Sequence, residues 1–135
     1  MNATDSTGNP SIYVVDDDQS IRSLLVDFLK EEGFRVLEGT SGNEVLSTVQ
    51  RESPDVVLMD LRMPDQSGIE VLEGVHGQAP EIPVLIMTAF GSSSAAIQAI
   101  QQGAYDYITK PFDLADLLHR VHKAMEYREL SQRCL

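Results

Sequence analysis

At 135 residues, 42% hydrophobic and 23% charged, the chain has the size and apolar content of one soluble globular domain. Ten Lys and Arg against 21 Asp and Glu leave a net charge of −11, which argues against direct nucleic-acid binding and against an anionic membrane surface as partner. The single cysteine, Cys134, excludes an intrachain disulfide and a cysteine-based metal site, and with no signal-like N-terminus or membrane-length apolar run the expected location is the cytoplasm.

In chain order, residues 1–10 (MNATDSTGNP) read as a disordered leader. Residues 12–15 (IYVV) form a first strand. Ile21, Leu24, Leu25, Phe28 and Leu29 then make one stripe of an amphipathic helix, ended by Gly33. Residues 34–38 read as a second strand. Ser41 and Glu44 match a capping box for a helix with Val45, Leu46 and Val49 inward. Residues 55–59 (DVVLM) are a buried third strand running into Asp60. Ser67 caps a third helix carrying Ile69, Val71, Leu72 and Val75. Residues 83–87 (PVLIM) are the most apolar strand. A small-residue helix over 92–102 closes at Gly103, and residues 105–109 are a short fifth strand. Asp113 caps a last helix with Leu114, Leu117, Leu118, Val121 and Met125 on one face. That stripe stops at Met125, because Arg128 and Gln132 are polar. Tyr127, Leu130 and Cys134 form a weaker second stripe, read either as a frayed end or as a linker or pairing helix.

Five βα units in strict alternation, with strands one, three and four apolar almost throughout, specify a doubly wound α/β fold with a parallel sheet covered on both faces. Sites in such sheets form beyond the carboxyl ends of the strands. The residues there are Asp16, Asp17 and Asp18 after strand one, Asp60 after strand three, Thr88 after strand four and Lys110 after strand five. Three adjacent aspartates repel one another, and a cation offsets that cost. Clustered carboxylates without His or Cys suit a hard divalent ion, Mg²⁺ above all. A lysine and a hydroxyl beside them suit a phosphoryl group, and a carboxylate can itself be the nucleophile of phosphoryl transfer.

VVDDD at 14–18, VVLMDLRMPDQSG at 56–68, MTAF at 87–90 and GAYDYITKPF at 103–112 together resemble the response-regulator receiver domain of two-component signalling, over roughly residues 11–127. The resemblance implies a flavodoxin-like, CheY-like sheet of order 2-1-3-4-5 with five helices. It makes Asp60 the phosphoacceptor. Asp17 becomes the direct Mg²⁺ ligand, with Asp16 acting largely through water and the backbone carbonyl of Arg62 as a further ligand. Thr88 is expected to bond the phosphoryl oxygen, Ala89 to leave it room, and Lys110 to pair with it across a cis bond to Pro111. Tyr107 matches the aromatic that turns inward when Thr88 moves. Asp18 reads as a helix-start acid. Asp65 stands where the family often has Gly, and Ser67 precedes Gly68. Arg62 and Phe90, each two residues past Asp60 and Thr88, occupy positions where such domains vary their dephosphorylation rate.

The implied function is a switch that accepts a phosphoryl group from a sensor histidine kinase. It catalyses its own phosphorylation and hydrolysis, and is not an enzyme with a small-molecule product. The last motif and the continuing helix most resemble receivers of enhancer-binding, NtrC-type transcription activators. The reading is therefore a leader (1–10), a receiver (11–127) and a helical extension (128–135), either stand-alone or excised from a longer regulator. A homodimer through helix four, strand five and helix five is expected, at least when phosphorylated. Two other classes fit less well. A Mg²⁺-dependent aspartyl phosphatase wants a second acid where Arg62 stands, and a nucleotide or flavin binder wants a Gly-rich turn after strand one. His76, His119 and His122 read as solvated helix residues, although His119 and His122 have chelating spacing.

Overall fold

A computed structural model of the protein describes residues 8–62, 65, 67–89 and 94–133, with side chains through Ser131. Strands β1 (Ser11–Val15), β2 (Arg35–Gly39), β3 (Val56–Asp60), β4 (Val84–Thr88) and β5 (Asp106–Thr109) alternate with helices α1 (Gln19–Glu31), α2 (Val45–Glu52), α3 (Gly68–Gln78), α4 (Ser94–Gln101) and α5 (Leu114–Arg133). The strands form one sheet of order β2-β1-β3-β4-β5, and every pairing is parallel. This is the doubly wound, flavodoxin-like architecture expected.

The period of two along each strand sorts the core into two layers. Tyr13, Val15, Val57, Met59 and Ile86 face α2, α3 and α4, meeting Val45, Val49, Val71, Leu72, Val75 and Ala99. Ile12, Val14, Leu58, Leu85 and Met87 point the other way, onto Leu25 and Leu29 of α1 and Leu117, Val121 and Ala124 of α5. Because both faces are covered, the strand sequences are apolar runs rather than alternations. Each fully buried aliphatic side chain contributes about 1.5–3 kcal/mol. No helix among the described residues is long and apolar enough to cross a membrane.

Local chemistry sets the element ends. The Asp18 carboxylate caps α1 by accepting from the Ser20 and Ile21 amides. Gly33 follows its C-terminus at φ +96°, where a Cβ is unfavourable. Ser67 caps α3 and Asp113 caps α5, as expected.

Four expectations need correction. Ser41 and Glu44 do not form a capping box. Residues Gly42–Glu44 make a 3-10 turn before α2, Ser41 gives no cap bond, and Glu44 accepts instead from the Thr40 amide at 2.8 Å. Leu24 leaves the inward stripe of α1 and is 50% exposed. The β2 strand runs one residue later than read, ending at Gly39. The inward stripe of α5 also continues past Met125. Arg128 is only 5% exposed, with its Nε 3.5 Å from Asp55 Oδ1 and an Nη donating to Ser53 Oγ at 3.4 Å. Polarity ended the stripe in the sequence, but a buried carboxylate on the neighbouring strand start continues it. The leader at 1–7, Phe90 and Cys134 lie outside the described residues.

Candidate functional site

From β1 the chain crosses to β2 on one side, whereas β3, β4 and β5 build the sheet on the other. The crevice at this reversal lies beyond the carboxyl ends of β1 and β3. Asp16 and Asp17 follow β1, Asp60 is the last residue of β3, Thr88 the last of β4, and Lys110 follows β5 directly. The strand ends thus bring together residues up to 94 positions apart.

Lys110 Nζ joins the two inner acids, 2.9 Å from Asp60 Oδ2 and 3.1 Å from Asp16 Oδ2. The remaining oxygens are held by backbone. Asp16 Oδ1 accepts from the Asp18 amide at 2.9 Å, and Asp60 Oδ1 from the Arg62 amide at 3.1 Å. Asp16 is fully buried, Asp60 nearly so, and Asp17 exposed. Burial raises the Asp16 carboxyl above its ordinary value, against hydrogen bonds from Asp18 and Lys110 that pull it down. Burial alone would lower Lys110, but its bonds to Asp60 and Asp16 more than offset this and its pKa is raised. The lysine is therefore a fixed cation.

Carboxylate oxygens of Asp16, Asp17 and Asp60 all lie within 4.8 Å of one another, and this is the metal-capable cluster found among the described residues. Three carboxylates against one ammonium leave a local excess of negative charge. A hard, oxygen-seeking divalent ion fits that donor set, whereas zinc would be expected to recruit His or Cys. Beside the acids a cavity of about 140 Å³ is lined by Asp60, Arg62, Thr88, Ala89 and Lys110 among others. Thr88 is buried, and the Lys110 amide donates to its carbonyl at 2.7 Å. The Lys110–Pro111 bond is cis, as expected. Tyr107 stands one strand over, half-buried against the core layer of α2, α3 and α4.

Asp16, Asp17, Asp60, Arg62, Thr88, Ala89 and Lys110 thus come together at this crevice, and Tyr107 lies on the strand that Lys110 follows. His76, His119 and His122 are exposed, and none joins a metal-capable cluster among the described residues.

Two side chains at the site's edge were missed. Arg22 of α1 donates from Nη1 to the Asp16 carbonyl at 2.7 Å, with Nε 3.2 Å from Glu38. A cation in the first turn of a helix opposes the helix dipole, and that oddity was its signal. Asp65 accepts from the Gly42 and Asn43 amides. Its partners are 23 and 22 residues away, and nothing local announces them.

Residues 12–122 match the family model of the response regulator receiver domain. The DNA-binding transcriptional regulator NtrC of Proteus hauseri is 43% identical over 90% of this chain, and the transcriptional regulatory protein ZraR of Klebsiella oxytoca is 40% identical over 90%. The chain spans only 26% and 27% of those two regulators. Among solved structures, a CheY-like response regulator receiver domain protein from Methanospirillum hungatei superposes with a TM-score of 0.85 at 29% identity, covering 90% of this chain and 97% of that one. NtrX from Brucella abortus gives 0.86 at 30% identity, covering 93% of this chain and 29% of that one. With the strand order, the acid cluster and the lysine in place, the chain belongs to the response regulator receiver domains, the signalling switches of two-component systems, and its curated relatives are of the NtrC type.

Proposed function

We propose that Asp60 accepts a phosphoryl group from the phosphohistidine of a sensor kinase and that the chain switches conformation in response. The observation that carries this reading is Lys110 bridging Asp16 and Asp60 beside a cavity lined by Thr88 and Ala89. An Asp60 oxygen attacks phosphorus, the P–O bond forms as the N–P bond breaks, and the imidazole nitrogen leaves with the electron pair. Mg²⁺ held by Asp17, Asp60, the Arg62 carbonyl and, through water, Asp16 would neutralise charge on the phosphoryl oxygens. Lys110 then exchanges a carboxylate oxygen for a phosphoryl oxygen. The Thr88 hydroxyl donates to another, and Ala89 leaves the room that a larger side chain would take.

Movement of Thr88 toward the phosphoryl group frees space for Tyr107 to turn inward, shifting the population of the α4–β5–α5 face. That face is already apolar, with Ile97 57% and Ile100 42% exposed on α4, and Tyr105, Tyr127 and Leu130 exposed beside and along α5. We read it as a homodimer surface when Asp60 is phosphorylated. Sedimentation velocity of phosphorylated protein should show a dimer; a monomer in both states sinks that part. Residues 11–127 are read as the receiver and 128–135 as a helical extension, a division supported by the family match over 12–122. The partner of the switched face in a longer regulator is a transcription output domain.

Intact-protein mass spectrometry after incubation with acetyl phosphate tests the core of this reading. One added phosphoryl group should appear on wild type only with Mg²⁺, and none on Asp60→Asn. An adduct that survives Asp60→Asn removes Asp60 as acceptor.

A further inference from the structure

Asp65 is one of the 21 acids of a chain of net charge −11, and it stands on the connection between an acid cluster and α3. Its contacts give that charge a use. Oδ1 accepts from the Gly42 amide at 3.0 Å and Oδ2 from the Asn43 amide at 2.9 Å. These amides open the 3-10 turn before α2 and belong to the donors that a helical start leaves without partners. Ser41, the local candidate, does not cap them, so the cap comes from the far side of the sheet's β1–β3 seam. The bond from Gly42 chiefly holds the Asp65 carboxyl below its ordinary value, because the amide favours the charged form.

The roots of the same connection are tied elsewhere. Leu61 donates its amide to the Met87 carbonyl on β4 at 3.0 Å and accepts from the Gly68 amide at 3.1 Å. A Cβ on Gly68 would stand 2.1 Å from the Leu61 carbonyl oxygen, so the two roots touch. Arg62 follows Leu61 directly, three residues before Asp65; its amide holds Asp60 Oδ1 and it lines the cavity.

We infer that Asp65 is a positioning residue for the divalent-ion site: its grip on Gly42 and Asn43 anchors the chain three residues after Arg62, and so sets the affinity of the Asp16–Asp17–Asp60 cluster for the ion. This rests on the metal reading above. It adds that the turn before α2, outside the α4–β5–α5 face, is mechanically joined to the site. The Gly42 and Asn43 amides therefore report ion binding at a distance.

The test is a Mg²⁺ titration of the full chain by ¹H–¹⁵N correlation spectroscopy on wild type, Asp65→Ala, Asp65→Asn and Asp65→Glu, with thermal midpoints in the absence of Mg²⁺ as the fold check. In wild type the Gly42 and Asn43 amides should shift with the same half-saturation as Asp17. In Asp65→Ala the half-saturation should rise about tenfold and those two amides should stop responding. Asp65→Asn, which keeps one acceptor, should fall between. Asp65→Glu separates position from charge, because it keeps the charge and displaces the carboxylate, and it should also be impaired. If Glu binds Mg²⁺ as wild type does, the effect is charge alone and the inference is overturned. It is equally overturned if Asp17 responds in wild type and Gly42 and Asn43 do not. If not even Asp17 responds in wild type, the metal reading itself falls and takes this inference with it.

Discussion

A fully buried carboxylate is an expensive residue, and Asp16 shows what it costs. Its pKa lies above the ordinary 3.8 because burial disfavours the charged form. The folded protein therefore holds that proton more tightly than the unfolded chain, and stability falls as pH rises from 3.8 toward the raised value. At neutral pH the ionised group is a net burden on the metal-free fold. Asp16→Asn keeps the oxygen that accepts from Asp18 and removes the charge. It should raise the metal-free thermal midpoint by a few degrees, and the gain should vanish below pH 3.8, where the unfolded carboxylate is protonated too. The same variant should lose the rise in midpoint that Mg²⁺ gives wild type, so scanning calorimetry with and without Mg²⁺ reads both effects. Asp16, Asp17, Asp60 and Lys110 were legible in the sequence because each directly follows or ends an apolar run, and strand direction fixes where such residues meet. Arg22 showed itself only as a cation set against the helix dipole, and Asp65 not at all, because a side chain's distant backbone partners leave no local pattern.

At the scale of elements, the turns and the last helix separate what periodicity reveals from what it hides. The 3.6-residue repeat located α1, α3 and α5; the caps Ser67 and Asp113 located the starts of the last two, and Asp18, read as a helix-start acid, proves to be the cap of the first. The capping-box pattern at Ser41 and Glu44 misled, because Glu44 reaches back to the Thr40 amide and the Ser41 hydroxyl turns to the Asn43 side chain, while a carboxylate from another connection holds the Gly42 and Asn43 amides. Arg128 misled in the opposite direction, since a buried ion pair reads as a polar break. Removing one member of such a pair leaves the other unpaired in the interior. Arg128→Ala should cost about 3 kcal/mol in chemical denaturation, and Asp55→Asn combined with it should add less than the sum of the singles. The glycines of α3 make a sharper contrast. Gly68→Ala drives a Cβ into the Leu61 carbonyl and should cost about 2–4 kcal/mol while weakening Mg²⁺ binding. Gly77→Ala, with nothing within 4 Å of the new methyl, should stabilise by about 0.5–1 kcal/mol with Mg²⁺ binding unchanged.

For the molecule as a whole, strict alternation of strand and helix gave the fold class, whereas the strand order needed the family resemblance, since hydrophobic pattern carries no information on which strands are neighbours. Net charge acts at this scale as well. With −11 on a small body, a bound divalent ion relieves repulsion and stabilises by mass action. Mg²⁺ at ten times its dissociation constant should add about 1.4 kcal/mol, and monovalent salt of equal ionic strength should add less. The site also depends on the whole chain in time. Lys110 lies 50 residues after Asp60 and 94 after Asp16, and its bonds to both close the crevice. At about 5–20 residues per second, a ribosome makes that 50-residue interval in about 3–10 s. Until the fifth strand has been synthesised and has docked, Asp16 and Asp60 stand without the ammonium that joins them, and on the reading proposed for Asp60 a half-made chain should take no phosphoryl group.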